Sequence, residues 1–368
     1  MSGAGAHQAE SLVAILQPLL RAYELLFLVA RHFHPPRFAG LMAQVGTPDR
    51  DLKAALDAHA DVLAELGDPG RALERASEAA LQAYAGLREV LDGGSDLRGA
   101  YRALRFVSVG LEALYPLAAA LPPVNRFFLD PALRSDAAAQ ARFMRERTHD
   151  KVGVMCFAPD DGGGADGERG GFWLYVPEDY SPERAYPFVM ALHGGSGNGR
   201  QFLWSWLRDA RSRGAILAAP SSVGSTWALA GDDEDTPNLA RILDFVRANW
   251  TIDPARLLLT GMSDGGTFTY VSGLEGGSPF THLAPVSAAF HPLLAEMIEP
   301  ERIQKLPIHI VHGALDWMFP PTMAREAERV LTTAGARVVY REIENLSHTY
   351  PREINTVLLA WLSGESAA

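Results

Sequence analysis

The stretch Leu257-Leu258-Leu259-Thr260-Gly261-Met262-Ser263-Asp264-Gly265-Gly266 places a serine between glycines, directly after an apolar run that reads as a strand. A serine hydroxyl is a poor nucleophile unless it is exposed and next to a base. A sharp strand-to-helix turn pushes it out of the backbone, and the crowding at such a turn admits only small residues two positions either side. The helix that follows presents its positive end to any oxyanion formed after attack. Downstream, "HIVHGALDWMFP" offers Asp316 just after another apolar strand, and "REIENLSHTYP" offers His348 in a loop after a further one. His348 is the candidate base that takes the Ser263 proton and returns it to a leaving group, with Asp316 holding the imidazole in the right tautomer. An oxyanion site needs backbone N–H groups aimed at one point. The glycine-rich run "ALHGGSGNG" after the strand "YPFVM" supplies Gly195, with Ser196 as the alternative, and the residue after the nucleophile, Asp264, supplies the second donor.

These residues need strands to carry them. From about residue 151, apolar β-type runs ("GFWLYVP", "YPFVMALHG", "GAILAAP", "RLLLTGM", "LPIHIVHG", "ARVVYREI") alternate with helical stretches such as "LARILDFVRANW" and "PTMAREAERVLTTAG". That alternation predicts an α/β fold with a mostly parallel sheet. The glycine-rich segment 161–171 reads as a loop between two early strands.

Residues 1–148 have another texture. Alanine, leucine, arginine and glutamate dominate, all good helix formers. Breaks at "GDPG" (67–70), "DGGSD" (92–96, with Ser95 as a helix cap) and "LPPVN" (121–125) predict about five helices, the last through "DAAAQARFMRER". The run "DRDLKAALDAHADVLAEL" places His59 inside an apolar helical face, where a hydrogen-bonded core histidine is expected. The expected organisation is a helical bundle or cap domain over 1–148 and a catalytic domain over 149–368.

The four motifs "LHGGSGNG", "DPARLLLTGMSDGG", "HGALDWMFP" and "NLSHTYP" resemble those of the α/β-hydrolase superfamily, in its order of serine, acid, histidine. They are most similar to the phospholipase/carboxylesterase branch, with its acyl-protein thioesterases, and to polyester-depolymerase and feruloyl-esterase-like proteins. The resemblance spans roughly residues 170 to 365. It implies an α/β-hydrolase fold, here preceded by an all-α N-terminal domain, and a serine esterase. Thioesterase and polyester-depolymerase activities are the alternatives it carries. Asp264 stands where thioesterases of this group commonly have Gln.

Other residues have structural or pocket readings. His193 braces the oxyanion loop, and His309 and His312 are structural. Trp227, His291 and Trp317 are candidates for a substrate pocket. The acids of "GDDEDTP" (231–237) read as a solvated loop ahead of a helix. A serine mechanism needs no metal and no organic cofactor, so neither is expected, and the expected partner is a small-molecule ester.

Global features exclude other classes. The net charge is −11, which repels nucleic acid and anionic lipid. One cysteine, Cys156, excludes an intrachain disulfide and zinc sites built on several cysteines. The first twenty residues lack a basic start and a small-residue cleavage site, and Gln17, Pro18, Arg21 and Glu24 interrupt the apolar run from Leu12 to Ala30. A buried amphipathic helix, no membrane span and a cytoplasmic location are expected. A reading of another class makes the helical half an interaction module, through which a homo-oligomer would form, with hydrolysis secondary.

Overall fold

The computed structural model describes residues 3–93, 97–144, 149–158, 169–291, 294 and 299–365. The chain divides into two compact units, Met1–Glu146 and Arg147–Ala368.

The first unit is all-α. Its helices are α1 (Gly3–His32), α2 (Phe38–Val45), α3 (Pro48–Ala58), α4 (Ala60–Glu65), α5 (Asp68–Gly93), α6 (Leu97–Leu114), α7 (Pro122–Phe127) and α8 (Ala137–Arg142). Eight described α-helices replace the five expected. One extra break is at His59, whose backbone leaves the helical region between α3 and α4, so the run around it is two helices and His59 is half-buried at their junction. Ser95 lies outside the described residues. Helix α8 is shorter than its sequence suggested and starts where the Asp136 carboxylate accepts the N–H groups of Ala138 and Ala139.

Two tyrosines stitch α1 to α5 in reciprocal fashion. Tyr23 donates to the Ala76 carbonyl (2.6 Å), and Tyr84 donates to the Ala22 carbonyl (2.8 Å). By length and composition, one described helix, Gln8–His32, could cross a membrane. Its Ile15, Leu19, Ala22, Tyr23, Leu26 and Val29 are nonetheless completely buried, at the spacing of a core-facing helical stripe.

The second unit is built on an eight-stranded sheet: β1 (Gly153–Phe157), β2 (Phe172–Val176), β3 (Tyr186–Leu192), β4 (Ile216–Pro220), β5 (Ile252–Met262), β6 (His282–Val286), β7 (Pro307–Gly313) and β8 (Arg337–Ile343). The spatial order is β1-β2-β4-β3-β5-β6-β7-β8. The β1–β2 and β2–β4 pairs are antiparallel, and all later pairs are parallel. This is the α/β-hydrolase arrangement. Every residue of β3 is buried, as a central strand covered on both faces requires, whereas edge strand β8 has no buried residue.

The described helices of this unit are α9 (Gly199–Arg213), α10 (Asp235–Asn249), α11 (Asp264–Gly273), α12 (Pro300–Ile303), α13 (Pro321–Thr333) and α14 (Ile354–Leu362). Strand order reverses around β3, which lies between β4 and β5. Crevices for ligands form at such reversals, beyond the carboxyl ends of the strands. The loops that leave β3 and β5 there are the glycine-rich run at 193–198 and the turn that holds Ser263. The glycine-rich segment expected between two early strands falls largely in 159–168, outside the described residues.

Candidate active site

Ser263 sits between the end of β5 and the start of α11 with φ +56° and ψ −120°, a left-handed conformation that a side chain rarely adopts. The turn is held on both sides. The Ser263 N–H donates to the Val286 carbonyl of β6 (3.0 Å), and its carbonyl accepts the Thr267 N–H (2.8 Å). The surrounding glycines are required by close approach. A Cβ on Gly265 would collide with the His193 carbonyl and lie 2.6 Å from that of Leu192. One on Gly266 would lie 2.8 Å from the Val286 carbonyl, and one on Gly261 would collide with Gly265. The G-x-S-x-G-G pattern is therefore the imprint of α11 packed directly on the ends of β3 and β6.

The Ser263 Oγ is 3.0 Å from His348 Nε2, and His348 Nδ1 is 2.8 Å from Asp316 Oδ2. All three residues are more than 90 % buried. Asp316 lies after β7 and His348 after β8, and their loops are joined. The Leu315 N–H donates to the Leu346 carbonyl (2.9 Å), and Gly313 lies so close to Leu346 that no side chain would fit there.

The other oxygen of Asp316, Oδ1, accepts the N–H groups of Met318 (3.0 Å) and Phe319 (2.9 Å), which fixes the carboxylate. Burial pushes the Asp316 carboxyl up. The hydrogen bond and charge of His348, with the Phe319 N–H, outweigh it and hold the group below the usual carboxylate range. His312 stands behind the acid, with Nε2 3.5 Å from Asp316 Oδ2 and 2.9 Å from the Phe319 carbonyl, to which it donates. Burial lowers its pKa and keeps it neutral. The Phe319 ring meets the His348 ring edge to face, centroids 5.2 Å apart.

The oxyanion side is organised by the run 193–197. Gly197 N–H donates to the Gly194 carbonyl, closing a turn in which Ser196 has φ +58°. Asp264 is the first residue of α11, so its N–H has no acceptor within the helix. Gly195 packs against Asp264: a Cβ on Gly195 would lie 2.7 Å from Oδ2. The two candidate donor residues are thus neighbours across the ends of β3 and β5.

His193 works as a brace. It accepts the Ser222 N–H at Nε2 (3.1 Å), so the proton is on Nδ1, which donates to the Gly194 carbonyl (2.7 Å). Burial lowers its pKa to about 4, and it stays neutral.

Trp227 does not line an open pocket. It is 2 % exposed, its Nε1–H donates to the His193 carbonyl (2.7 Å), and its ring stacks on Phe268. His291 is exposed beside residues that are not described. Trp317 is 44 % exposed next to Asp316, and Met318 is similarly exposed.

Sequence reasoning missed two supports. Thr226 donates its hydroxyl to Asp264 Oδ2 (2.6 Å). Asp235, read as a solvated acid, is 2 % exposed. Its carboxylate accepts the N–H groups of Val223 and Ala228, both at 2.8 Å, and so clamps the loop that carries Thr226 and Trp227. An aspartate opening a helix was the only available signal, and it does not separate a surface charge from a buried clamp. No group of three or more metal-ligating side chains occurs among the described residues.

No family model matches the chain. Over 148 residues it is 30 % identical to a bifunctional acetylxylan esterase/xylanase of Neocallimastix patriciarum, covering 39 % of this chain and 21 % of that one. Over 121 residues it is 31 % identical to a probable feruloyl esterase C of Aspergillus terreus, covering 31 % of this chain and 44 % of that one. The chain thus spans less than half the length of the curated relatives it matches. Among solved structures, a thermostable esterase aligns over 58 % of this chain and 63 % of its own, with 22 % identity and a TM-score of 0.47.

Proposed function

We propose that the second unit is a serine hydrolase of carboxylic esters. The observation that carries this reading is the unbroken hydrogen-bonded series Ser263–His348–Asp316 at a strained strand-to-helix turn. His348 Nε2 takes the Ser263 proton as Oγ attacks the ester carbonyl. The N–H groups of Gly195 and Asp264 receive the oxyanion. The imidazolium, held in place by Asp316, then protonates the departing alcohol oxygen and leaves an acyl-serine. His348 next removes a proton from water, which attacks the acyl carbon. The same imidazolium returns that proton to Ser263 Oγ, and the acid leaves. Ser196, whose backbone is turned to positive φ, is the alternative oxyanion donor.

The relatives named for acetylxylan and feruloyl esters support oxygen esters over thioesters, and acetyl and feruloyl esters are the first substrates to try. The test is turnover of a p-nitrophenyl ester series, acetate to palmitate, by the wild type and by Ser263→Ala. Loss of turnover by several powers of ten is expected. Equal activity in the variant refutes the assignment of the nucleophile.

A further inference from the structure

Asp264 brings two different groups to one place. Its N–H is a candidate oxyanion donor, while its carboxylate packs against Gly195, the other candidate donor, with Oδ2 2.7 Å from where a Cβ on Gly195 would stand. The same oxygen accepts the Thr226 hydroxyl at 2.6 Å. No ion pair to Asp264 occurs among the described residues. Arg169 donates to the Gly197 carbonyl (3.3 Å) and to Ser222 Oγ (2.8 Å) rather than to this carboxylate. The N-terminus of α11 offsets part of the charge, but a developing oxyanion draws on that same helix end. A carboxylate therefore lies beside both candidate donors for the second negative charge that the reaction makes, with the neutral Thr226 hydroxyl as its hydrogen-bond partner among the described residues. At an effective dielectric of about 20, like charges a few ångströms apart repel enough to slow the step by about tenfold or more. Such a site is poorly matched to a neutral ester and well matched to one that brings a positive charge.

We propose that Asp264 is a specificity-determining residue that selects esters bearing a cationic nitrogen a few bonds from the scissile carbonyl. This deepens the ester-hydrolase reading and rests on it. The ammonium pairs with the Asp264 carboxylate on binding, which removes the repulsion before the oxyanion forms. The field of the protein favours the approach of such substrates. Net charge is −11, and Asp232, Asp233 and Glu234 lie on the same connection between β4 and α10 as Thr226.

The test compares isosteric pairs on the full chain: p-nitrophenyl ω-aminohexanoate against p-nitrophenyl heptanoate, and acetylcholine against dimethylbutyl acetate. Each kcat/KM is divided by the alkaline hydrolysis rate of that ester. In the wild type the cationic member of at least one pair is preferred by about tenfold or more, and added salt shrinks the preference. Asp264→Asn abolishes the preference and raises turnover of the neutral member. Thr226→Val, which keeps the charge, retains the preference. Ser263-dependent turnover with no cationic preference in either pair overturns the proposal, as does a preference that survives Asp264→Asn. Should that variant not fold, a wild-type preference insensitive to salt overturns it equally. Absence of Ser263-dependent turnover on any ester is a different result: it removes the hydrolase reading itself, and this inference with it.

Discussion

A single methyl group on Gly265 tests whether the glycines around Ser263 serve catalysis through packing. The added Cβ would stand 2.6 Å from the Leu192 carbonyl and closer still to that of His193, whereas ordinary contact begins at 3.4 Å. Both obstacles are backbone atoms of β3 and its exit, so neither can rotate away. Helix α11 and the end of β3 must part by 0.8 Å, from 2.6 to 3.4 Å, to relieve the Leu192 contact alone, and by more to relieve that of His193. That movement separates Asp264 N–H from Gly195 N–H while leaving Ser263, His348 and Asp316 chemically intact. Overpacking of this kind costs about 1–3 kcal/mol of stability, and a misplacement of about 1 Å costs about 100-fold in rate. The assay is kcat and KM on p-nitrophenyl acetate with thermal unfolding of the same sample. Gly265→Ala is expected to remain folded at 25 °C, to keep KM within a few-fold, and to lose about two powers of ten in kcat. A folded variant with wild-type kcat refutes the claim that this approach positions the oxyanion donors.

Trp227→Phe keeps a ring on Phe268 but removes the Nε1–H that holds the His193 carbonyl at 2.7 Å. A cost of about 1–2 kcal/mol is expected, expressed as a lower kcat more than a higher KM. A variant altered only in KM would return Trp227 to the substrate pocket. Burial holds His193, His282 and His309 each down to about 4, so between about pH 6.5 and pH 4 the unfolded chain binds more protons than the folded one. Stability is therefore full above about pH 6.5 and falls as pH drops through 4, which urea melts across that range will show as a falling midpoint. His309 is 4 % exposed and neither ring nitrogen has a hydrogen-bond partner among the described residues. His309→Leu should leave stability near pH 8 unchanged or higher and flatten the acid slope. An unchanged slope would exclude His309 as a source of it.

Legibility in the sequence followed how local the physics is. Ser263, Asp316 and His348 were legible as candidates because each follows a β-type run, apolar before Ser263 and largely so before Asp316 but alternating and charged in β8 before His348, and because the glycines beside Ser263 record backbone contacts. Strands β1 and β6 were not marked. β6 is only five residues, His282 to Val286, with a histidine and a proline among them. Helix α9 was hidden for another reason: it buries charged residues. Arg211 pairs with Glu178 (2.9 Å), and Asp209 accepts from Asn355 (2.9 Å), so its charges are satisfied by partners far away in the chain, which no local pattern marks. Trp227 could not be separated from a pocket residue because the carbonyl it serves, that of His193, lies 34 positions earlier. The break at His59 left no mark, since neither glycine nor proline stands there.

The run 231–237 has a bearing on efforts to recharge this surface. Asp232 and Asp233 can be exchanged for lysine or asparagine in a solubility library with different degrees of risk, since Asp233 also accepts the N–H groups of Asp235 and Thr236 at 2.9 Å. Asp235 belongs to neither category. Its two oxygens close the ends of a six-residue segment, Val223 to Ala228, whose middle touches both Asp264 and His193. A library that treats these acids as interchangeable would register Asp235 variants as inactive and attribute the loss to charge. The missing quantity is shape: a carboxylate there acts as a rivet, and asparagine, with one acceptor oxygen where two are used, leaves one of the two N–H groups without its acceptor.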